Sequence, residues 1–99
     1  LQIKKIASNL GTPFAVILIP DLRDPTIDGI FSEYYSTVKV FLKDSNIEVI
    51  DPSEAINKHL MGSPEKGWVH RADPHPNAII HELLGLMIFE YLASLQALQ

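Results

Sequence analysis

Apolar positions recur along this chain with helical spacing in some stretches and as unbroken short runs in others, and the two patterns alternate. Residues 1–10 place Ile3, Ile6, Ala7 and Leu10 on one side with Lys4 and Lys5 opposite, which predicts a helix. Gly11 is a natural stop for it, because glycine enters positive φ without steric cost. Phe14 to Ile19 then form a continuous apolar run between Pro13 and Pro20. A run of this kind predicts a strand buried on both faces, the habit of parallel sheets. After an Asp- and Pro-rich loop (Pro20, Asp21, Asp24, Pro25), Ile27, Ile30, Phe31, Tyr34, Val38 and Phe41 recur at three- and four-residue steps, predicting a second helix. On its apolar face Tyr34 and Tyr35 are expected to pack into the core.

Ile47-Glu48-Val49-Ile50 predicts a second strand, ended by Asp51-Pro52, and Ser53 to His59 a brief helix with Ser53 near its N-cap. Residues 61–76 contain Gly62, Gly67, Pro64, Pro74, Pro76 and Trp68, and are expected to form a structured loop. From Asn77 to about Leu98 a stripe of Ile80, Leu84, Met87, Tyr91, Leu95 and Leu98, widened by Ile79, Leu83 and Leu86, predicts a helix with more than one neighbour. Gly85 within it marks an expected close approach to a strand or another helix.

The resulting order is α-β-α-β-α in a single segment, residues 1–99, with parallel strands joined by a right-handed crossover. Two parallel strands make a poor sheet, since each needs partners at its edges and helices on its faces. The strands are therefore expected to pair with those of another chain or to belong to a larger sheet lacking its first half. Leu1 in place of an initiating Met points the same way, to a processed, truncated or excised piece.

Composition narrows the classes. At 99 residues, 46% hydrophobic and 20% charged, the chain has the make-up of a folded domain rather than a disordered tail. Eight basic against twelve acidic residues leave a formal charge of −4 with no basic run, so no nucleic-acid partner is expected. Cysteine is absent, which removes disulfides, thiolate metal sites and cysteine nucleophiles and leaves the compartment open. No uninterrupted apolar run reaches the roughly 18 residues of a bilayer crossing, so no membrane span is expected.

Candidate chemistry concentrates at Asp73-Pro74-His75-Pro76-Asn77. Pro76 suits a first helical turn, placing His75 at the start of the last helix, above the carboxyl ends of the parallel strands where α/β sheets bind ligands. In an extended stretch side chains two apart point the same way, so the Asp73 carboxylate can reach the His75 ring. A carboxylate on Nδ1–H fixes the tautomer and leaves Nε2 free as a base. The plain alternative is a helix cap with a solvated histidine beside it.

These residues, Asp73-Pro74-His75-Pro76-Asn77-Ala78 with His81 six positions after His75, resemble the last motif block of SGNH/GDSL-type hydrolases. Val16-Ile17-Leu18-Ile19-Pro20-Asp21 and Val49-Ile50-Asp51-Pro52 resemble two strands of that family, and Trp68 stands in the loop ahead of the block. The resemblance spans nearly the whole chain, with only the block around His75 specific. Two positions depart from it: Ala72 stands where the stricter spacing puts Asp, and Ile80 where a small residue usually precedes the second His.

The resemblance implies a flavodoxin-like three-layer αβα sandwich, in which His75 is the base for a serine nucleophile and Asp73 orients it. Trp68 would wall an acyl pocket, and His81 would be structural. The implied substrate is a small ester or acylated carbohydrate, by hydrolysis or acyl transfer. The family's Gly-Asp-Ser block and its Gly and Asn oxyanion donors have no match here. The chain thus looks like the C-terminal half of such a domain. The alternative from another class is a non-catalytic α/β interaction module that self-associates through its strand edge. His59, His70, His75, His81 and Asp73 lack the spacing of helical zinc motifs, so no metal is expected. Without a Gly-rich loop ending in Lys-Ser or Lys-Thr, the strand ending at Asp21 is no nucleotide site, and no cofactor is expected.

Overall fold

The computed structural model describes residues 1–97. Their elements run α1 (Gln2–Asn9), β1 (Ala15–Ile17), α2 (Ser32–Asp44), β2 (Glu48–Ile50), α3 (Ser53–Leu60), a 3-10 turn (Pro64–Gly67), β3 (Trp68–His70), β4 (Asp73–Pro76) and α4 (Ala78–Ala97). The chain is mixed α/β, with β1 and β2 paired in parallel across the α2 crossover, Ala15 opposite Glu48 and Ile17 opposite Ile50. A separate antiparallel pair joins β3 to β4, Trp68 opposite Pro76 and His70 opposite Asp73, with an irregularity between the two registers.

Positive φ marks several of the joints. Gly11 (φ 68°) closes α1, as its lack of a Cβ allows, and Asn46 (φ 58°) follows α2. Met61 takes the left-handed conformation at the end of α3, immediately before Gly62.

The core is one-sided. Leu22, Ile56, Leu60, Ile80 and Leu84 form its buried cluster, with Ile17, Trp68 and Leu83 packed against it. α1 buries no residue, and α2 buries only Leu42. A compact protein of 11.1 kDa exposes about 5,700 Å², whereas this chain exposes 7311 Å². Its radius of gyration is 15.0 Å, against roughly 13 Å for a compact chain of this length. Apolar faces account for the excess: Ile3, Ile6 and Leu10 on α1, Tyr34, Val38 and Phe41 on α2, and Ile79, Leu86 and Phe89 on α4 are all exposed.

Several expectations are corrected. The stretch 61–76 is not a loop: Pro64–Gly67 form a 3-10 turn and residues 68–76 the β3–β4 hairpin, which proline content concealed because Pro74 and Pro76 occupy positions on a strand with one free edge. Ile27 and Ile30 precede α2 and lie exposed in turns, since the helix starts only at Ser32. Both strands are three residues long, and β1 is half-buried rather than covered on both faces. Tyr34 points to solvent while Tyr35 turns inward. Ser53 is the first residue of α3 and makes no side-chain cap; Pro52 precedes it. A Cβ at Gly85 would meet nothing within 4 Å, so no close approach exists there.

The α4 stripe at Ile80, Leu84, Met87, Tyr91 and Leu95 does face inward; Leu98 lies outside the described residues. The expectation of no membrane span is overturned by the same helix. Ala78–Gln96, 19 residues, is long and apolar enough to cross a bilayer by length and composition, and only 11% of it is buried. Counting uninterrupted runs failed because His81, Glu82 and Glu90 break the run, whereas transfer free energy sums along the helix. A core helix with an uncovered face meets the same criterion.

Candidate active site: an Asp–His pair on a hairpin

β4 carries the pair. Asp73 and His75 are two residues apart in extended backbone, so their side chains leave the strand on one face. Asp73 Oδ1 lies 2.5 Å from His75 Nδ1 and also accepts the His75 backbone N–H at 3.1 Å. The ring hydrogen bond, then the backbone one, hold the Asp73 carboxyl below its ordinary value, so it is ionised at neutral pH. An ionised carboxylate accepts only, which assigns a proton to Nδ1, so that in the neutral ring Nε2 holds the lone pair. The His75 side chain is 82% exposed and that of Asp73 47%, so Nε2 is open to a reactant.

His75 is held close to the start of α4 by Asn77. The Asn77 side-chain oxygen accepts the Ile80 N–H at 3.1 Å, making Asn77 the N-cap. Its N–H donates to the Gly67 carbonyl at 2.8 Å, and its Nδ2 to the Lys66 carbonyl at 2.8 Å. One side chain thus caps the helix and closes the hairpin on the 3-10 turn. Pro76 accordingly sits in β4, ahead of the cap, rather than in the first helical turn. Asn before an apolar helical stripe is an N-terminus signal that sequence reasoning had available and did not use.

Pro74, His75 and Pro76 form one wall of a depression of about 320 Å³; Ile19 to Arg23, the segment after β1, form the other. His75 therefore stands beside the carboxyl end of β1. No serine is among the residues lining this depression. Arg23 lies on its rim, its Nε and Nη2 on the Asp21 carboxylate at 2.9 and 2.6 Å and its guanidinium over the Phe31 ring.

Trp68 lines neither this depression nor the larger cleft beside it. It is half-buried against the core cluster, and its indole Nε1 donates to the Leu22 carbonyl at 2.7 Å. His81 is exposed on α4, His59 is exposed in α3, and the His70 Nδ1 accepts the Ala72 N–H at 3.1 Å. Among the described residues, no three His, Asp or Glu side chains converge as metal ligands would.

The larger cleft, about 820 Å³, opens at the carboxyl ends of both parallel strands between α2 and α3 and shares Pro20 and Asp21 with the depression. Sequence reasoning missed its central cluster. The Tyr35 hydroxyl lies 2.5 Å from Asp51 Oδ1 and 2.6 Å from the Leu18 carbonyl oxygen, and Lys39 Nζ donates to Asp51 Oδ2 at 2.5 Å. Burial alone would raise the Asp51 carboxyl, yet hydrogen bonds from Lys39, Tyr35 and Ser53 hold it well below the carboxylate range. Burial, with Asp51 beside it, pushes the Tyr35 phenol up, so it stays protonated. The only trace in the sequence is Asp51 at a strand end. Its partners lie 12 and 16 residues away, beyond any local pattern.

Compared with described protein families, with curated proteins and with solved structures, the chain matches none.

Proposed function

We propose that this chain is the C-terminal part of an SGNH-like serine hydrolase or acyltransferase and supplies its general base. The observation that carries the reading is the 2.5 Å contact between Asp73 Oδ1 and His75 Nδ1 on a strand whose histidine stands beside the end of β1. A carboxylate bound to Nδ1 fixes the tautomer with Nε2 free to take a proton and offsets the charge of the imidazolium formed in the reaction.

In the complete enzyme a serine from outside these residues attacks an ester carbonyl, and His75 Nε2 takes the hydroxyl proton. His75 then returns that proton to the departing alcohol oxygen, leaving an acyl-serine. Water or a second alcohol, deprotonated in turn by His75, releases the acyl group. Oxyanion donors also come from outside these residues.

The surface supports the same reading. Each exposed helical face and the two-stranded parallel pair fit an αβα sandwich lacking the strands and helices that would complete it. A non-catalytic module that self-associates would leave the same faces exposed in one copy. It gives no account of a carboxylate aligned on Nδ1.

The test is ester hydrolysis by the whole protein that carries this chain. His75→Ala should lower kcat/KM at least about 10³-fold and Asp73→Asn about 10²–10⁴-fold with folding intact, the range for losing a base or its orienting carboxylate. Full activity in His75→Ala would remove the reading.

A further inference from the structure

We propose that Trp68 is a positioning residue, which places His75 against the end of β1 by anchoring the Leu22 carbonyl; this rests on the catalytic reading of His75. The depression beside His75 has two walls from distant parts of the chain: Ile19 to Arg23 after β1, and Pro74 to Pro76 on β4. Among the described residues, one hydrogen bond joins the segment 19–23 to the hairpin, from Trp68 Nε1 to the Leu22 oxygen at 2.7 Å. Leu22 is buried among Ile56, Leu60, Ile80 and Leu84, and the Trp68 ring packs against that cluster.

The geometry links the indole to the histidine through the strand pairing. Trp68 is paired with Pro76, the residue after His75, so a shift of β3 carries the His75 backbone with it. The Asp73–His75 bond is different. It closes over two residues within β4 and needs no help from Trp68. Loss of the indole N–H should therefore leave the pair intact and move it as a unit relative to the β1 end. A displacement of about 1 Å at a reacting group costs on the order of 10²-fold in rate. A residue that walled a substrate pocket would behave otherwise, raising KM.

The experiment uses the whole ester-hydrolysing protein with Trp68→Phe, which keeps a ring and removes the N–H. A second variant carries benzothienylalanine at position 68, which is isosteric with tryptophan but has sulfur in place of the N–H, and so excludes a packing defect. Both should unfold cooperatively and keep the His75 ring chemical shifts of the parent protein at a fixed pH. Their kcat should fall about 10²-fold with KM little changed. Cross-relaxation between the His75 ring and the Ile19–Arg23 side chains should weaken.

Unchanged kcat in the benzothienylalanine protein overturns the proposal. So does a raised KM at unchanged kcat, which would make Trp68 a substrate wall, or a lost kcat with that cross-relaxation intact. Failure of the underlying reading shows separately, as activity retained in His75→Ala.

Discussion

The two ends of this molecule are built to different standards. Around the hairpin, α3, the 3-10 turn and the start of α4 close on one another so tightly that a Cβ at Gly67 would stand 3.0 Å from Leu60 and 3.2 Å from Ile80. Around β1, α1 and α2, apolar side chains face outward and, among the described residues, one distant hydrogen bond ties α1 down, Lys4 Nζ to the Ser45 carbonyl at 2.8 Å. Polar groups are no less satisfied at the loose end, since among the described residues no buried side-chain nitrogen or oxygen lacks a partner. The two ends differ in apolar burial. At the loose end Ile3, Ile6 and Leu10 on α1 and Tyr34, Val38 and Phe41 on α2 stay exposed.

Substitutions can break or sharpen this contrast. The largest effect belongs to the tight end: Ile56 is fully buried, and Ile56→Ala should cost about 2–5 kcal/mol in denaturant unfolding. A loss below about 1 kcal/mol there would mean that the cluster is not the core.

An intermediate effect is expected at the junction of the two ends, where Asp51→Asn removes the partner of Lys39 and Tyr35. The exposed side of that ion pair weakens it, so the cost should be roughly 1–2 kcal/mol at neutral pH. The sign with pH follows from a folded-state pKa held below the unfolded carboxylate value of about 3.9. Stabilisation is fully present above that value and is lost as pH falls through the folded pKa. Acid unfolding of the parent chain should include this loss below about pH 4, and Asp51→Asn should lack it.

The smallest effect belongs to the loose end. Ile6→Ser on α1 should change the stability of this 99-residue chain by less than about 0.5 kcal/mol, as at other exposed sites. On the proposed reading, in which the complete enzyme covers this face, the same change there should cost at least about 1 kcal/mol. Equal effects in the two settings would dissolve the contrast.

Legibility followed the range of the interaction. All four helices were predicted, with α2 misplaced at its start because Ile27 and Ile30 continue its spacing without belonging to it. The parallel pair was read from two apolar runs, though not their brevity. The β3–β4 hairpin was missed, since Pro74 and Pro76 lower local strand preference and only the pairing of the two short strands overrides it. At the candidate site, Asp73 and His75 were legible because their contact closes within one extended strand. The Trp68 bond to Leu22 spans 46 residues and left no local mark.

By itself the sequence determined what neighbouring residues decide among themselves: helical faces, short buried strands, and a carboxylate two positions before a histidine. Tertiary structure alone decided which faces are covered, which tyrosine turns inward to Asp51, and that the Trp68 indole meets the Leu22 carbonyl. Those outcomes depend on closing long loops and excluding water between distant surfaces, and no short window of residues contains either term.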